Sequence, residues 1–330
     1  MNKVQQAAFE LIQEDARFIY ALVHIMTHAK NTNSNYISMS LPYIGLFADG
    51  SEQWCRKAGL SAPRFNDEEK EYYTKLRQGH KLFEKSYDEY STFLLEKLKE
   101  SDDYFYSIRS FCEKIFGYYN LGTDLCCGEY CGNTILCASY LPMKFLGKNN
   151  FKTWIRNISG VAGKLASYFN CDELPVYRYN DNLSVCYKDY HLYKLSPLKM
   201  NNDTGFLLFS ILCTINYVIE FIEKYFVDEI PQKLKYAYLQ YYYLCNFVKD
   251  MNSRIGSNYQ LDNCLYDRRF RNCLAHYGLG QYITEREIDD SDILKGLTMK
   301  AFGKDYMTVK GELYAMLKSL ANQIKEEVLI

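Results

Sequence analysis

The sequence predicts a mainly helical protein, and three observations carry that prediction. Apolar residues recur at helical spacing through most of the chain. Six prolines in 330 residues are too few for a sandwich of many short, turn-bounded strands. Several periodic stretches open on capping residues. Hydrophobic residues make up 48% and charged residues 24%, a globular composition rather than a disordered one. Lys+Arg is 39 against Asp+Glu at 40, for a net charge of -1. A whole-chain electrostatic grip on nucleic acid is therefore not expected, and any such contact must come from a local patch.

From Val4 to about Lys30, a helical face is built by Ala8, Leu11, Ile12, Ala16, Ile19, Leu22, Val23 and Met26. His24 and His28 lie i, i+4, a metal-pair spacing. They lack a nearby third ligand and the H-E-x-x-H pattern, so structural histidines and no metal are expected. Asn31 to Ser40 reads as a loop. Leu41 to Arg64, with two prolines and three glycines, reads as irregular with short helical pieces. Asn66-Asp67-Glu68-Glu69 starts a helix predicted to run to Lys99, its charges forming a solvated outer face. Ser101-Asp102-Asp103 is placed to cap a further helix through Tyr104 to Tyr119.

Leu121 to Gly132, rich in Gly and Cys, reads as a loop without a nucleotide-binding pattern. Twelve cysteines and no signal peptide at Met1-Asn2-Lys3-Val4 suggest a reduced, cytoplasmic protein. The densest group is Cys126, Cys127, Cys131 and Cys137. It does not reproduce paired C-x-x-C zinc spacing, so buried or free thiols are expected. Thr134 to Phe145 and Phe151 to Phe169 are predicted helices. Val176-Tyr177-Arg178-Tyr179 and Leu183 to Tyr187 flank Asn180-Asp181-Asn182, which predicts a small β-hairpin within 175–195. The polar stretch Pro197 to Thr204 divides a helical N-terminal region, 1–200, from a C-terminal unit, 201–330.

That unit reads as four antiparallel helices. Phe206 to Val227 is strongly apolar in its first half. Glu220, Glu223 and Lys224 interrupt it short of the ~20 residues of a membrane span, so a buried central helix is predicted and no membrane. Pro231 opens a second helix that ends at Asn252 to Asn258. The third runs from about Leu261 to Tyr277, and the last is an amphipathic helix from Thr308 to Leu329. The third helix sorts into an apolar stripe (Phe270, Cys273, Leu274, Tyr277) and a polar one (Arg268, Asn272, His276). His276 falls in its last turn, where carbonyl ends favour imidazolium. Three arginines and a histidine together predict an anion site, with phosphate the obvious anion.

Arg271-Asn272 followed by His276, on a late helix of a four-helix unit, resembles the HEPN superfamily of helical domains. Ribonuclease members of that family carry Arg, a polar residue and His at R-x(4–6)-H spacing. Here four residues separate Arg271 from His276, and Phe270 and Leu274-Ala275-His276-Tyr277 also look like the family. The resemblance covers mainly Gly205 to Ile330. It implies an antiparallel HEPN-like bundle and a metal-independent endoribonuclease without a cofactor. Two protomers would face each other to build one composite site, so a homodimer acting on RNA is implied. His276 would be general base or acid, Arg271 would hold the phosphate, and Asn272 would orient the histidine or the phosphate. Arg268, Arg269 and Tyr277 are the expected substrate contacts. A toxin or anti-phage defence role, with an antitoxin or regulatory partner, fits the family, as does a non-catalytic adaptor binding a protein or nucleotide. Arg271 and His276 are roughly 140° apart around a helix and about 7.5 Å along it. Arg271 must therefore reach sideways or line a cleft shared with a second protomer.

Overall fold

The computed structural model describes residues 1–28, 35–140, 148–169, 177–277, 282–288 and 293–330. Among these, helices dominate, accompanied by a three-stranded antiparallel sheet. Helix α1 spans Lys3–His28 and α2 spans Asn35–Lys57. Helix α2 corrects the sequence reading, which made its residues a loop and an irregular segment. It passes through Pro42, and its glycines serve close packing. A Cβ on Gly45 would lie 2.4 Å from Arg77 N, 2.6 Å from Tyr73 O and 2.8 Å from the Leu76 carbonyl carbon. Glycine thus lets α2 press onto the backbone of α3, Asp67–His80. Gly50 admits α11, Arg268–His276, with its Cβ position 3.1 Å from both Ala275 O and Tyr277 Cε2. Gly45→Ala should destabilise the fold by about 1–3 kcal/mol, because every colliding atom is backbone. A denaturant midpoint equal to that of the unmodified chain would show that α2 and α3 separate freely.

The helix predicted from Asn66 to Lys99 is in fact two. Asn66 and Glu69 close a capping box on α3, and a second box, Ser86 with Glu89, opens α4, Tyr87–Ile108. Between them a 3-10 turn, Leu82–Glu84, buries Leu82 and Phe83. The S-x-x-E signature at Ser86 wins because restarting there satisfies two end-of-helix donors. Ser101 does not start a helix: it is buried inside α4, and Ser110 with Glu113 starts α5, Phe111–Phe116.

Leu121 to Asn133 is a hairpin rather than a loop. Strands β1, Leu121–Cys126, and β2, Glu129–Asn133, turn at Cys127-Gly128, where φ is 51° and 86°. Two positive φ values are what a two-residue hairpin turn requires. Strand β3, Val185–Tyr190, pairs with the other edge of β1, giving the order β2-β1-β3. The hairpin predicted within 175–195 is therefore replaced. Its second strand joins β1, which is buried along its whole length, and Tyr179 instead bridges Phe226. Val176 lies outside the described residues.

Helices α6, Thr134–Tyr140, and α7, Lys148–Tyr168, follow the sheet hairpin. Helix α8, Asp203–Asn216, continues through a π-helical turn, Tyr217–Ile222, into α9, Glu223–Tyr225. This stretch is long and apolar enough to cross a membrane, yet 94% of its apolar window is buried in the protein, as in a core helix. Helix α10, Pro231–Ile255, starts on proline and stops at Gly256 in the left-handed conformation. Helix α11 is shorter than predicted because Asp267 caps it, accepting from Phe270 N at 2.6 Å. Helices α12, Ile293–Phe302, and α13, Tyr306–Val328, complete the chain. Aromatic contacts cross from the early helices to the late ones: Phe18 meets Tyr236, Phe47 meets Tyr277, and Tyr90 meets Phe247.

Candidate functional site

Helix α11 is held by the apolar stripe the sequence predicts. Phe270, Cys273 and Leu274 are buried, and Phe270 sits edge-on to Tyr238 of α10 at 4.5 Å. Tyr277 ends the helix with φ 52°, in the left-handed region. For a bulky residue that conformation costs of order 1–3 kcal/mol, and it persists only where surroundings enforce it. Here they do. The Tyr277 side chain is buried, with the residue 2% exposed, and its hydroxyl donates to Asp15 of α1. Lys235 of α10 pairs with the same Asp15 carboxylate and lies 4.3 Å over the Tyr277 ring. Gln232 Nε2 donates to Asp15 Oδ1 at 2.8 Å. The expectation that Tyr277 touches substrate is thereby corrected: its hydroxyl is engaged by Asp15 and its ring is enclosed, so it anchors the helix end.

Arg271 lies across α10. Its guanidinium lies 5.0 Å over Tyr242 and 5.5 Å over Tyr243, both on that helix. Tyr242 stacks on Tyr266 at 4.4 Å with planes 9° apart, and Tyr243 meets His80 of α3 edge-on at 5.7 Å. These contacts make a column with Tyr266 exposed at one end and His80 Nε2 buried at the other. Arg271 forms no ion pair among the described residues, and its Nε is buried without a protein partner.

His276 is partly buried, and its Nδ1 meets no protein partner. Burial first, then the charges of Arg77 and Arg271, push its pKa down to about 4, while Asp49 acts in the opposite direction. The helix terminus alone favours imidazolium; desolvation and two guanidiniums outweigh its half-charge, so the imidazole is neutral at pH 7. His80 is pushed further, to about 3, by burial and then by Lys235, Lys81, Arg271 and Arg77. The electrostatic cluster at His276 therefore joins Arg271 to Arg77 of α3 and Asp49 of α2. Arg268, Arg269 and Asn272 are exposed, and no hydrogen bond joins Asn272 to His276.

Sequence reasoning missed Arg77, Asp49, His80, Lys235 and the Tyr242–Tyr243 pair. Arg77 and His80 sit i, i+3 on a stretch that reads as a solvated charged face, so periodicity alone gave no signal. The side chains of His24 and His28 lie outside the described residues. Cys126, Cys131 and Cys137 are buried and Cys127 is exposed. Among the described residues, no group of three His, Cys, Asp or Glu is arranged to hold a metal. No family model, curated protein or solved structure matches this chain.

Proposed function

We propose that the chain is a metal-independent endoribonuclease of HEPN type, with Arg271 and His276 as its catalytic pair. The observation that carries this reading is a neutral, partly buried imidazole beside an arginine that forms no ion pair among the described residues. His276 takes the proton of a ribose 2′-OH as that oxygen attacks the adjacent phosphorus. The P–O5′ bond breaks, the 5′-oxygen takes up a proton, and a 2′,3′-cyclic phosphate remains. Arg271 holds the phosphate and stabilises the charge that builds on its oxygens. The exposed Tyr266, stacked on Tyr242, offers a π-face to a neighbouring base. The exposed stripe of Arg268 and Asn272, with Arg269 beside it, is where RNA backbone and a second protomer of a homodimer would meet α11.

A single-stranded RNA should be cleaved in the presence of EDTA to a cyclic-phosphate end. The same strand with one 2′-deoxyribose at the scissile position should resist. Cleavage of the deoxy-substituted bond, or loss of activity on chelation, would rule out this chemistry. The second reading is a non-catalytic adaptor. One observation favours it: Ile108, Phe111, Ile115, Phe116 and Tyr119 crowd a short stretch around α5 with large exposed apolar side chains, Phe111 at 77% and Phe116 at 84%. Under that reading a protein partner covers α5, and biological activity survives loss of His276.

A further inference from the structure

Helix α3 brings a second guanidinium to α11. Arg77 Nη1 lies 2.8 Å from Asp49 Oδ2, and Gln53 Nε2 donates to the same oxygen at 2.7 Å. The Arg77 and Asp49 side chains are 25% and 21% exposed, neither solvated nor sealed in. Arg77 Nε is buried without a protein partner, as are Arg271 Nε and His276 Nδ1. Three nitrogens from two helices thus lack a protein partner, on two arginines that both act on the third side chain, His276, and buried polar groups of this kind call for an explanation. Among the charges acting on His276, that of Arg77 is the largest, ahead of Arg271 on the histidine's own helix. Lys235 is neutralised by Asp15 and Arg77 by Asp49, which leaves the charge of Arg271 uncompensated. A phosphodiester carries one negative charge and accepts forked N–H donors, so it matches the charge and the donors that these two arginines offer.

We propose that Arg77 and Asp49 complete the α11 site from within the same chain: Arg77 is a second phosphate-holding arginine, and Asp49 is its resident counter-ion, displaced when a phosphodiester enters between Arg77 and Arg271. The proposal rests on the reading of α11 as a phosphate-handling site. Asp49 then has two opposed effects. It competes with the incoming phosphate for Arg77, and its charge favours imidazolium at His276, the form that appears as the base takes up its proton.

The test uses the full chain and two probes, inorganic phosphate followed at the His276 ring resonances and a short 2′-O-methyl RNA that binds without being cut. In the unmodified chain, phosphate should raise the pKa of His276. Arg77→Gln should weaken both probes about tenfold or more, and Arg77→Lys should recover part of the loss. Asp49→Asn should tighten the 2′-O-methyl RNA while lowering kcat on cleavable RNA, a split that mere loosening of the fold does not produce. A folded Arg77→Gln chain that binds both probes as the unmodified chain does would overturn the proposal. If Arg77→Gln does not fold, unchanged affinity in Asp49→Asn overturns it instead. Cleavage of RNA with both variants behaving normally would defeat this inference and leave the nuclease reading intact. Arg77-dependent binding of both probes by a chain that never cuts RNA would support the anion site and defeat the nuclease reading. Binding of neither probe would defeat both.

Discussion

His276→Ala is expected to reduce RNA cleavage by roughly 10²–10⁴-fold, the usual weight of a positioned acid–base group. The fold should persist, because the imidazole is partly exposed and its Nδ1 has no protein partner to lose. The pH profile carries a second signature. An unperturbed histidine would lose its base form as pH falls through about 6.5. Burial and the Arg77 and Arg271 charges move that point down to about 4, so kcat/KM for the free enzyme should hold its plateau well below pH 6. An acid limb near 6.5, or full cleavage by the alanine variant, would remove His276 from the chemistry. Stability should follow the opposite course. His276 and His80 have folded pKa values near 4 and 3, below their unfolded value. The unfolded chain therefore takes protons first, and stability drains away as pH falls from about 6.5 toward those values.

Asp15→Asn is expected to be the most damaging single substitution for the fold, at roughly 3–5 kcal/mol. Asp15 is fully buried, receives the Tyr277 hydroxyl and Gln232 Nε2, and pairs with an equally buried Lys235. Removing its charge leaves an ammonium in an interior that already lowers the Lys235 pKa by desolvation. A second substitution, Lys235→Met in the Asp15→Asn background, should restore part of the loss, since an apolar side chain leaves no orphaned charge. Chemical denaturation of the three variants measures this. A loss under about 1 kcal/mol for Asp15→Asn would mean that water reaches the pair.

The legible parts of this molecule are those whose rules are local. The stripe of Phe270, Cys273 and Leu274 followed from helical period, and the starts at Asn66 and Pro231 followed from end chemistry. Arg271 and His276 were visible as a candidate pair, while the contact of Arg271 with Tyr242 on α10 was not. What escaped depends on packing between distant segments. Gly45 and Gly50 looked like helix breakers because their use is the approach of α3 and α11, which no window around residue 45 contains. Strand β3 looked like half of a local hairpin because its true neighbour, β1, lies over fifty residues earlier. The neutrality of His276 was missed because its largest cause, burial, and the charge of Arg77 both come from the packing of distant segments around α11.

The link between Asp15 and Tyr277 spans 262 residues, and that between Asp15 and Lys235 spans 220. Translation proceeds at about 5–20 residues per second, so Asp15 leaves the ribosome roughly 10–50 s before the groups that receive it. During that interval α1 carries an unmatched carboxylate in the middle of its buried face. The N-terminal half must wait in a partly assembled state, open to chaperones and proteases, until α10 and α11 emerge. The same order of synthesis governs when the proposed site can form. Arg271 and His276 emerge well after α1, and α11 is locked in place only when Tyr277 meets Asp15, so the proposed site is completed only once both ends of that link have been made.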